Sequence, residues 1–180
     1  MVEIRFGTEK DIIEILNIQA YWLSQNHENT HGFLFGEPYK FDDIEILINA
    51  NQVAVAYKDD KVCGYFLFDN YSKNTTTNKY RKYINELIIL KELNTLKDSI
   101  CPRAQIAIDK SFLGLNISKY LTKYLQENSP KKFSFIFSTI SKKNSKIKKH
   151  LDNGWKIIGE NNELLFVLLK VKTKHNNVYN

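Results

Sequence analysis

The stretch IAIDKSFLGLNISKYL, residues 106–121, decides how this chain is read. An apolar run ends at Asp109-Lys110, turns through a short loop around Gly114 and restarts as an amphipathic helix. A helix N-terminus presents unpaired backbone N–H groups at the positive end of its dipole. A loop that delivers the chain there therefore makes an anion site, with phosphate its commonest guest. Gly114 places no Cβ in the path of such a guest. Asn116 is one of the few non-glycine residues that tolerate a positive φ, and Ser118 adds a hydroxyl donor. A strand, a loop and a helix with one glycine are also ordinary connectivity, so the rest of the chain has to decide.

Upstream, VEIRFG (2–7) alternates as a strand, and Thr8-x-x-Asp11 is a capping-box start for a helix through DIIEILNIQAYWL (11–23). A polar, then aromatic loop, SQNHENTHGFLFGEPYK (24–40), leads to a shorter helix, FDDIEILINA (41–50), with Ile44, Leu47 and Ile48 on one face. QVAVAY (52–57), the turn KDDK and VCGYFLF (62–68) form a hairpin. After the polar stretch DNYSKNTTTN (69–78), KYRKYINELIILKEL (79–93) reads as a helix, and RAQIAI (103–108) as a short strand behind Pro102.

Downstream, NISKYLTKYLQEN (116–128) carries an apolar stripe of Ile117, Leu121, Tyr124 and Leu125. FSFIFSTI (133–140) is a strand. Asn144 is an N-cap for the helix SKIKKHLDN, and Gly154 is its C′ residue. WKIIGE (155–160), a turn at Asn161-Asn162 and LLFVLLKV (164–171) close the chain as a hairpin. The order β-α-α-β-β-(α)-β-α-β-α-β-β predicts an α/β layer structure, with hairpins making part of the sheet antiparallel. Residues 1–172 are expected to form one domain, and 173–180 a frayed tail.

The chain has 180 residues, 43% of them hydrophobic, enough for one domain with a real core. Its longest apolar run, LLFVLLKV, is too short to span a membrane, and its acidic N-terminus is unlike a signal peptide. Cys63 and Cys101 stand far apart without a CxxC, which points away from a disulfide framework and a structural zinc site. A cytoplasmic protein is the expectation. The net charge of +6 is divided unevenly, −4 over residues 1–90 and +10 over residues 91–180. Such asymmetry fits a polyphosphate or nucleic-acid footprint on the basic half, or simple solubility.

Taken together these words resemble the GCN5-related N-acetyltransferase (GNAT) family over nearly the whole chain. IAIDKSFLGLNIS is similar to that family's strand and Arg/Gln-x-x-Gly-x-Gly/Ala loop, which cradles the pyrophosphate of acetyl-coenzyme A. Leu113 stands where the family has Arg or Gln, Asn116 where it has the central Gly, and Ser118 where it has Gly or Ala. VCGYFLF resembles the family's Val-x-Gly-Tyr strand, and HGFLFG a stretch seen after the first helix. STISKKNSKIKKHLDNGWKIIGE resembles its fifth strand, Asn-capped helix and Gly-Phe strand start, with Trp155 for Phe.

The resemblance implies a mixed, mostly antiparallel sheet flanked by helices, in a domain that binds acetyl-coenzyme A and acetylates an amine, on a small molecule or a peptide; the acidic first half of the chain favours a cationic acceptor. It implies cofactor contacts at Ile106, Ala107, Ile108, Leu113, Gly114, Leu115, Asn116, Ile117, Ser118, Thr139 and Asn144. It places His150, four residues before Gly154, where the family has the acid that protonates the departing thiolate. Two readings stand for His150: that acid, or a surface imidazole near a helix C-terminus. Of Lys142, Lys143, Lys146, Lys148 and Lys149, one or two reaching a ribose phosphate would suffice. A non-catalytic acetyl-coenzyme A sensor and a basic nucleic-acid-binding domain are the alternatives, and a homodimer through the terminal strands is open.

His27-Glu28-Asn29-Thr30-His31 spells H-E-x-x-H, but its polar, glycine-flanked surroundings lack the helix that would bring both imidazoles to one zinc, so no metal is expected. The acceptor must reach the thioester as a free amine, and Glu86, Glu28 and His31 are candidate bases. Phe33, Phe35, Tyr39 and Tyr83 would wall its pocket or belong to the core.

Overall fold

The computed structural model describes residues 1–25, 34, 36–71, 73–89, 100–128 and 133–171. The first strand, β1 (Glu3–Phe6), leads to the helix α1 (Ile12–Ser24) through a single 3-10 turn. Asp11 holds that turn. Its carboxylate accepts the Thr8 N–H and hydroxyl at 2.7 and 2.9 Å and a two-bond grip from Arg5 at 2.7 and 2.9 Å. Ile12, Ile15 and Ile18 then recur on one face of α1 and are buried, while Ile13 faces solvent. The helix α2 (Phe41–Asn49) starts where the Asp43 carboxylate accepts the Lys40 N–H at 2.9 Å, and it buries Ile44 and Leu47.

Strands β2 (Val53–Lys58) and β3 (Lys61–Asp69) form the expected hairpin, and Asp59 and Asp60 both take positive φ (51° and 59°), as a type I′ turn requires. The helix α3 (Thr75–Ile89) begins inside the stretch read as polar loop. Asn74 is the reason, because its side chain accepts the Thr76 N–H at 3.0 Å and caps a turn of threonines. Next come β4 (Ile100–Cys101), β5 (Arg103–Ile108), α4 (Ile117–Asn128), β6 (Phe135–Ser141), α5 (Ile147–Asp152), β7 (Trp155–Glu160) and β8 (Leu164–Lys170). The tail from 173 lies outside the described residues.

The strands divide into two sheets, β1-β2-β3-β5 and β4-β6-β8-β7, antiparallel except for β4 with β6. Pro102 is the dividing point. Cys101 pairs with Ile136 in one sheet, and Arg103, two residues on, pairs with Asp69 in the other. A proline has no N–H for a ladder, so the chain changes partners there.

The helices α1 and α2 cover one face of the first sheet, on Val53, Val55, Tyr65 and Leu67. On the opposite face α4 lays Ile117, Leu121 and Leu125 against Ala54, Ala56 and Phe66, and Tyr124 packs edge-on to Phe6. Each of those buried aliphatic side chains contributes roughly 1.5–3 kcal/mol. The helix α3 sets Tyr80, Ile84 and Leu87 on Phe137, Phe166 and Leu168 of the second sheet. Among the described residues no helix is long and apolar enough to cross a membrane.

Candidate functional site

Where β5 leaves β6, a cleft of about 710 Å3 opens between the two sheets. The antiparallel register with β3 fixes which backbone groups face it. Asp109 donates to Cys63 across β3, so odd-numbered residues of β5 bond β3 and even-numbered ones point to the cleft edge. Two of those outward carbonyls are occupied: Ala104 accepts from the Ser138 hydroxyl at 3.4 Å, and Ile108 from the Trp22 indole at 2.7 Å. Between them the N–H and C=O of Ile106 meet no protein partner among the described residues. The open edge of β5 is therefore a strand-pairing template for an extended, amide-bearing ligand.

The loop from Leu113 to Ser118 closes one end of the cleft. Gly114 has φ +92° and Asn116 φ +56°, so the positive φ read from the asparagine is present. A Cβ on Gly114 would meet nothing within 4 Å, which leaves its dihedral angle as the reason for glycine. Leu113 and Gly114 form a turn after a 3-10 helix (Lys110–Phe112), and α4 begins at Ile117 with the Asn116 carbonyl receiving Lys119 at 3.0 Å, so the Ile117 and Ser118 N–H groups are the free donors of its first turn. Such donors and the positive end of the helix dipole favour an anion at the start of α4. Lys119, Lys146 and Lys149 line the cleft, whereas Lys142 pairs with Glu160 at 3.2 Å, which sorts the lysine run by position.

The opposite wall carries α5. Asn144 does not sit at the helix cap: its side chain accepts the Lys146 N–H at 2.7 Å, forming a turn that precedes a helix starting at Ile147. Gly154 has φ +97° and ends α5 as expected. His150 is half-buried and lines the cleft, so it is not a surface imidazole. Burial pulls its pKa below the ordinary 6.5, against the favourable helix C-terminus, and the imidazole is neutral near pH 7.

On the face turned to α1 and α3, the cleft meets Trp22, Leu34, Tyr80, Arg103, Gln105 and Thr139. The Tyr80 and Thr139 hydroxyls are bonded at 2.6 Å, and burial pushes the Tyr80 phenol up to about 12. Arg103 is 2% exposed. Its Nη1 donates to Asn74 Oδ1 at 2.8 Å, its Nη2 to the Glu37 carbonyl at 3.1 Å, and its guanidinium lies 4.4 Å from the Tyr39 ring centroid. Tyr39 and Tyr83 belong to the core, Tyr39 beneath Arg103 and Tyr83 stacked between Tyr80 and Phe166. Glu86 is exposed and does not line the cleft.

The structure thus gathers Ile106, Ala107, Ile108, Leu113 to Ser118, Thr139, Asn144 and His150 around one cleft. The sequence reading missed Trp22, Tyr80, Arg103 and Gln105, whose contacts span tens of residues; no local pattern announces them. Glu28, His27, His31, Phe33 and Phe35 lie outside the described residues. Among the described residues no His, Cys, Asp and Glu side chains cluster as metal ligands.

No protein-family model matches the sequence, and no curated protein matches it. Solved structures do. A GNAT-family acetyltransferase from Listeria monocytogenes is 18% identical, covers 94% of this chain and 94% of its own, and has a TM-score of 0.60. One from Bacillus cereus is 14% identical over 96% of this chain and 99% of its own, with a TM-score of 0.62. The protein yncA from Salmonella typhimurium, solved with its cofactor acetyl-CoA, is 14% identical over 96% of this chain and 95% of its own, at 0.61. Across nearly its full length, this chain has the fold of the GCN5-related N-acetyltransferases.

Proposed function

We propose that this protein transfers an acetyl group from acetyl-coenzyme A to a primary amine. One observation carries the reading: an anion-binding turn at the start of α4 and an unpaired strand edge at Ile106 border the same cleft. The first suits a pyrophosphate and the second a chain of amides, which together describe coenzyme A. The residues present fit that group without the family's basic side chain at Leu113, because the loop's donors are backbone N–H groups. Bound there, acetyl-coenzyme A would supply an acyl group activated as its thioester.

The N–H groups at the start of α4 would hold the phosphates, with Lys119, Lys146 and Lys149 adding charge around the cleft. The Ile106 edge would orient the ligand along β5, and the apolar walls, Ile106, Ile108 and Ile140, exclude water from the reacting end. The acceptor nitrogen, having released one proton as its ammonium, bonds to the acetyl carbon while the C–S bond breaks. The electron pair stays on sulfur, which takes up a proton, and the amide nitrogen loses its second one. His150 is the cleft residue suited to meet that sulfur: as a neutral imidazole it would hydrogen-bond the departing thiolate through its ring N–H, while solvent supplies the proton that the sulfur takes up.

The Leu113 side chain is 57% exposed and brings no charge to the phosphate loop, which favours a sensor over an enzyme more than a basic residue would. Calorimetry with acetyl-coenzyme A, followed by thiol release in the presence of amines, separates the two. Binding with amine-dependent thiol release supports transfer; binding with no release for any amine supports the sensor.

A further inference from the structure

A ligand held by the α4 loop lies on the α4 face of β5, so an acceptor reaches the gap between β5 and β6 from the face turned to α1 and α3. We propose, resting on the acetyl-transfer reading above, that the acceptor is an amine bearing a carboxylate close to its nitrogen, an amino acid, and that the Gln105 side-chain amide receives that carboxylate.

Gln105 is 6% exposed and lines the cleft from β5. Its Oε1 accepts the Tyr65 hydroxyl at 2.7 Å. Tyr65 is fully buried, and burial holds its phenol far above its ordinary pKa, so it remains a donor and fixes which way the amide points. The Nε2 group is then turned to the cleft and donates to no protein acceptor among the described residues. That N–H is left to solvent in the cleft, where a ligand oxygen can take the place of water.

The charges on this face select the oxygen. Of Trp22, Leu34, Tyr80, Arg103, Gln105 and Thr139, Arg103 is the charged one; the carboxylate that lines the cleft, Asp152, belongs to the far end of α5. Asp69 stands opposite Arg103 across the sheet, but it does not line the cleft; its carboxylate accepts from Tyr39, Thr77 and the Tyr71 N–H. The pair therefore turns its cationic end to the acceptor. Arg103 itself is committed to Asn74 and Glu37, so it acts through its field while Gln105 makes the contact. That field favours an anionic group and opposes a second ammonium. It also lowers the pKa of the acceptor's own ammonium, which favours the free amine. Trp22, Leu34 and the Tyr80 ring provide apolar walls for the rest of the acceptor.

The test follows thiol release from acetyl-coenzyme A with L-alanine, L-methionine and L-glutamate, with L-alaninamide and L-methioninamide, and with spermidine. The amino acids should exceed the carboxamides and spermidine by about tenfold or more in kcat/KM, the usual worth of a hydrogen bond to a charged group. Gln105→Glu keeps an acceptor for Tyr65 but sets like charge against the carboxylate, and it should abolish the preference. Carboxamides or spermidine matching the amino acids would overturn the acceptor class, as would binding of acetyl-coenzyme A without turnover of any panel member. A preference that survives Gln105→Glu would overturn the role of Gln105. Failure of calorimetry to detect acetyl-coenzyme A binding would instead remove the underlying acetyl-transfer reading.

Discussion

The Ser138 hydroxyl donates to the Ala104 carbonyl over 3.4 Å, and beyond it no hydrogen bond joins β5 to β6 among the described residues. Ile106 is the first residue past that point whose outward N–H and C=O are both open. Ile106→Pro removes this N–H without touching the ladder to β3, and is expected to weaken acetyl-coenzyme A binding by about two- to tenfold while the fold persists. Ala107→Pro removes a ladder bond to β3 and should unfold the protein. Calorimetry and circular dichroism on the two variants distinguish an open edge from a merely twisted one.

Asn116 sits at φ +56° on the last residue before α4. A β-branched side chain there costs about 1–2 kcal/mol, so Asn116→Val should lower acetyl-coenzyme A affinity by roughly five- to thirtyfold by re-aiming the loop's N–H groups. Asn116→Gly should bind as the native protein does. Equal affinities for all three proteins, measured by calorimetry, would show that the loop shape is irrelevant to the ligand.

Gly64 lies where β3, β5 and α4 meet. A Cβ added there would stand 2.7 Å from Ile108 Cδ1, 3.1 Å from the Ala107 carbonyl oxygen and 3.3 Å from Ile117 Cγ2. The isoleucine tip can swing away, but the carbonyl belongs to β5 and cannot. Gly64→Ala should cost about 1–3 kcal/mol in urea unfolding. Gly114→Ala, with open space around it, should cost only its dihedral strain, about 1 kcal/mol.

Burial holds the His150 pKa below 6.5 in the folded protein. The unfolded chain therefore binds the proton first as the pH drops, so this contribution to stability is complete above about pH 6.5 and declines below it. His150→Gln should flatten the fall in Tm between about pH 7 and pH 5. If the neutral imidazole steadies the departing thiolate, His150→Ala should lower kcat by about tenfold to a hundredfold with acetyl-coenzyme A affinity unchanged, and His150→Tyr should keep much of the activity. A kcat that falls as the pH rises through a pKa below 6.5 would identify the charged imidazolium as the active form instead.

The element order could be read in the sequence because each element is written locally. The spacing of Ile12, Ile15 and Ile18, the Asp59-Asp60 turn, the Thr8-Asp11 start of α1 and the positive φ of Asn116 all depend on a residue and its near neighbours. The helix α3 starts earlier than its apolar spacing indicates, because Asn74 caps it from within a run of polar residues.

What the tertiary structure alone decided is which groups remain unspent. The open edge at Ile106 exists because Pro102 moves the strand from one sheet to the other, and strand pairing joins residues dozens of positions apart. The lowered pKa of His150, the cationic face made by Arg103 and the aim of the Gln105 amide are sums over neighbours from α1, β3, α3 and β6. Local sequence sets dihedral angles and periodicity; burial and electric field depend on distance in space, which the order of residues does not contain.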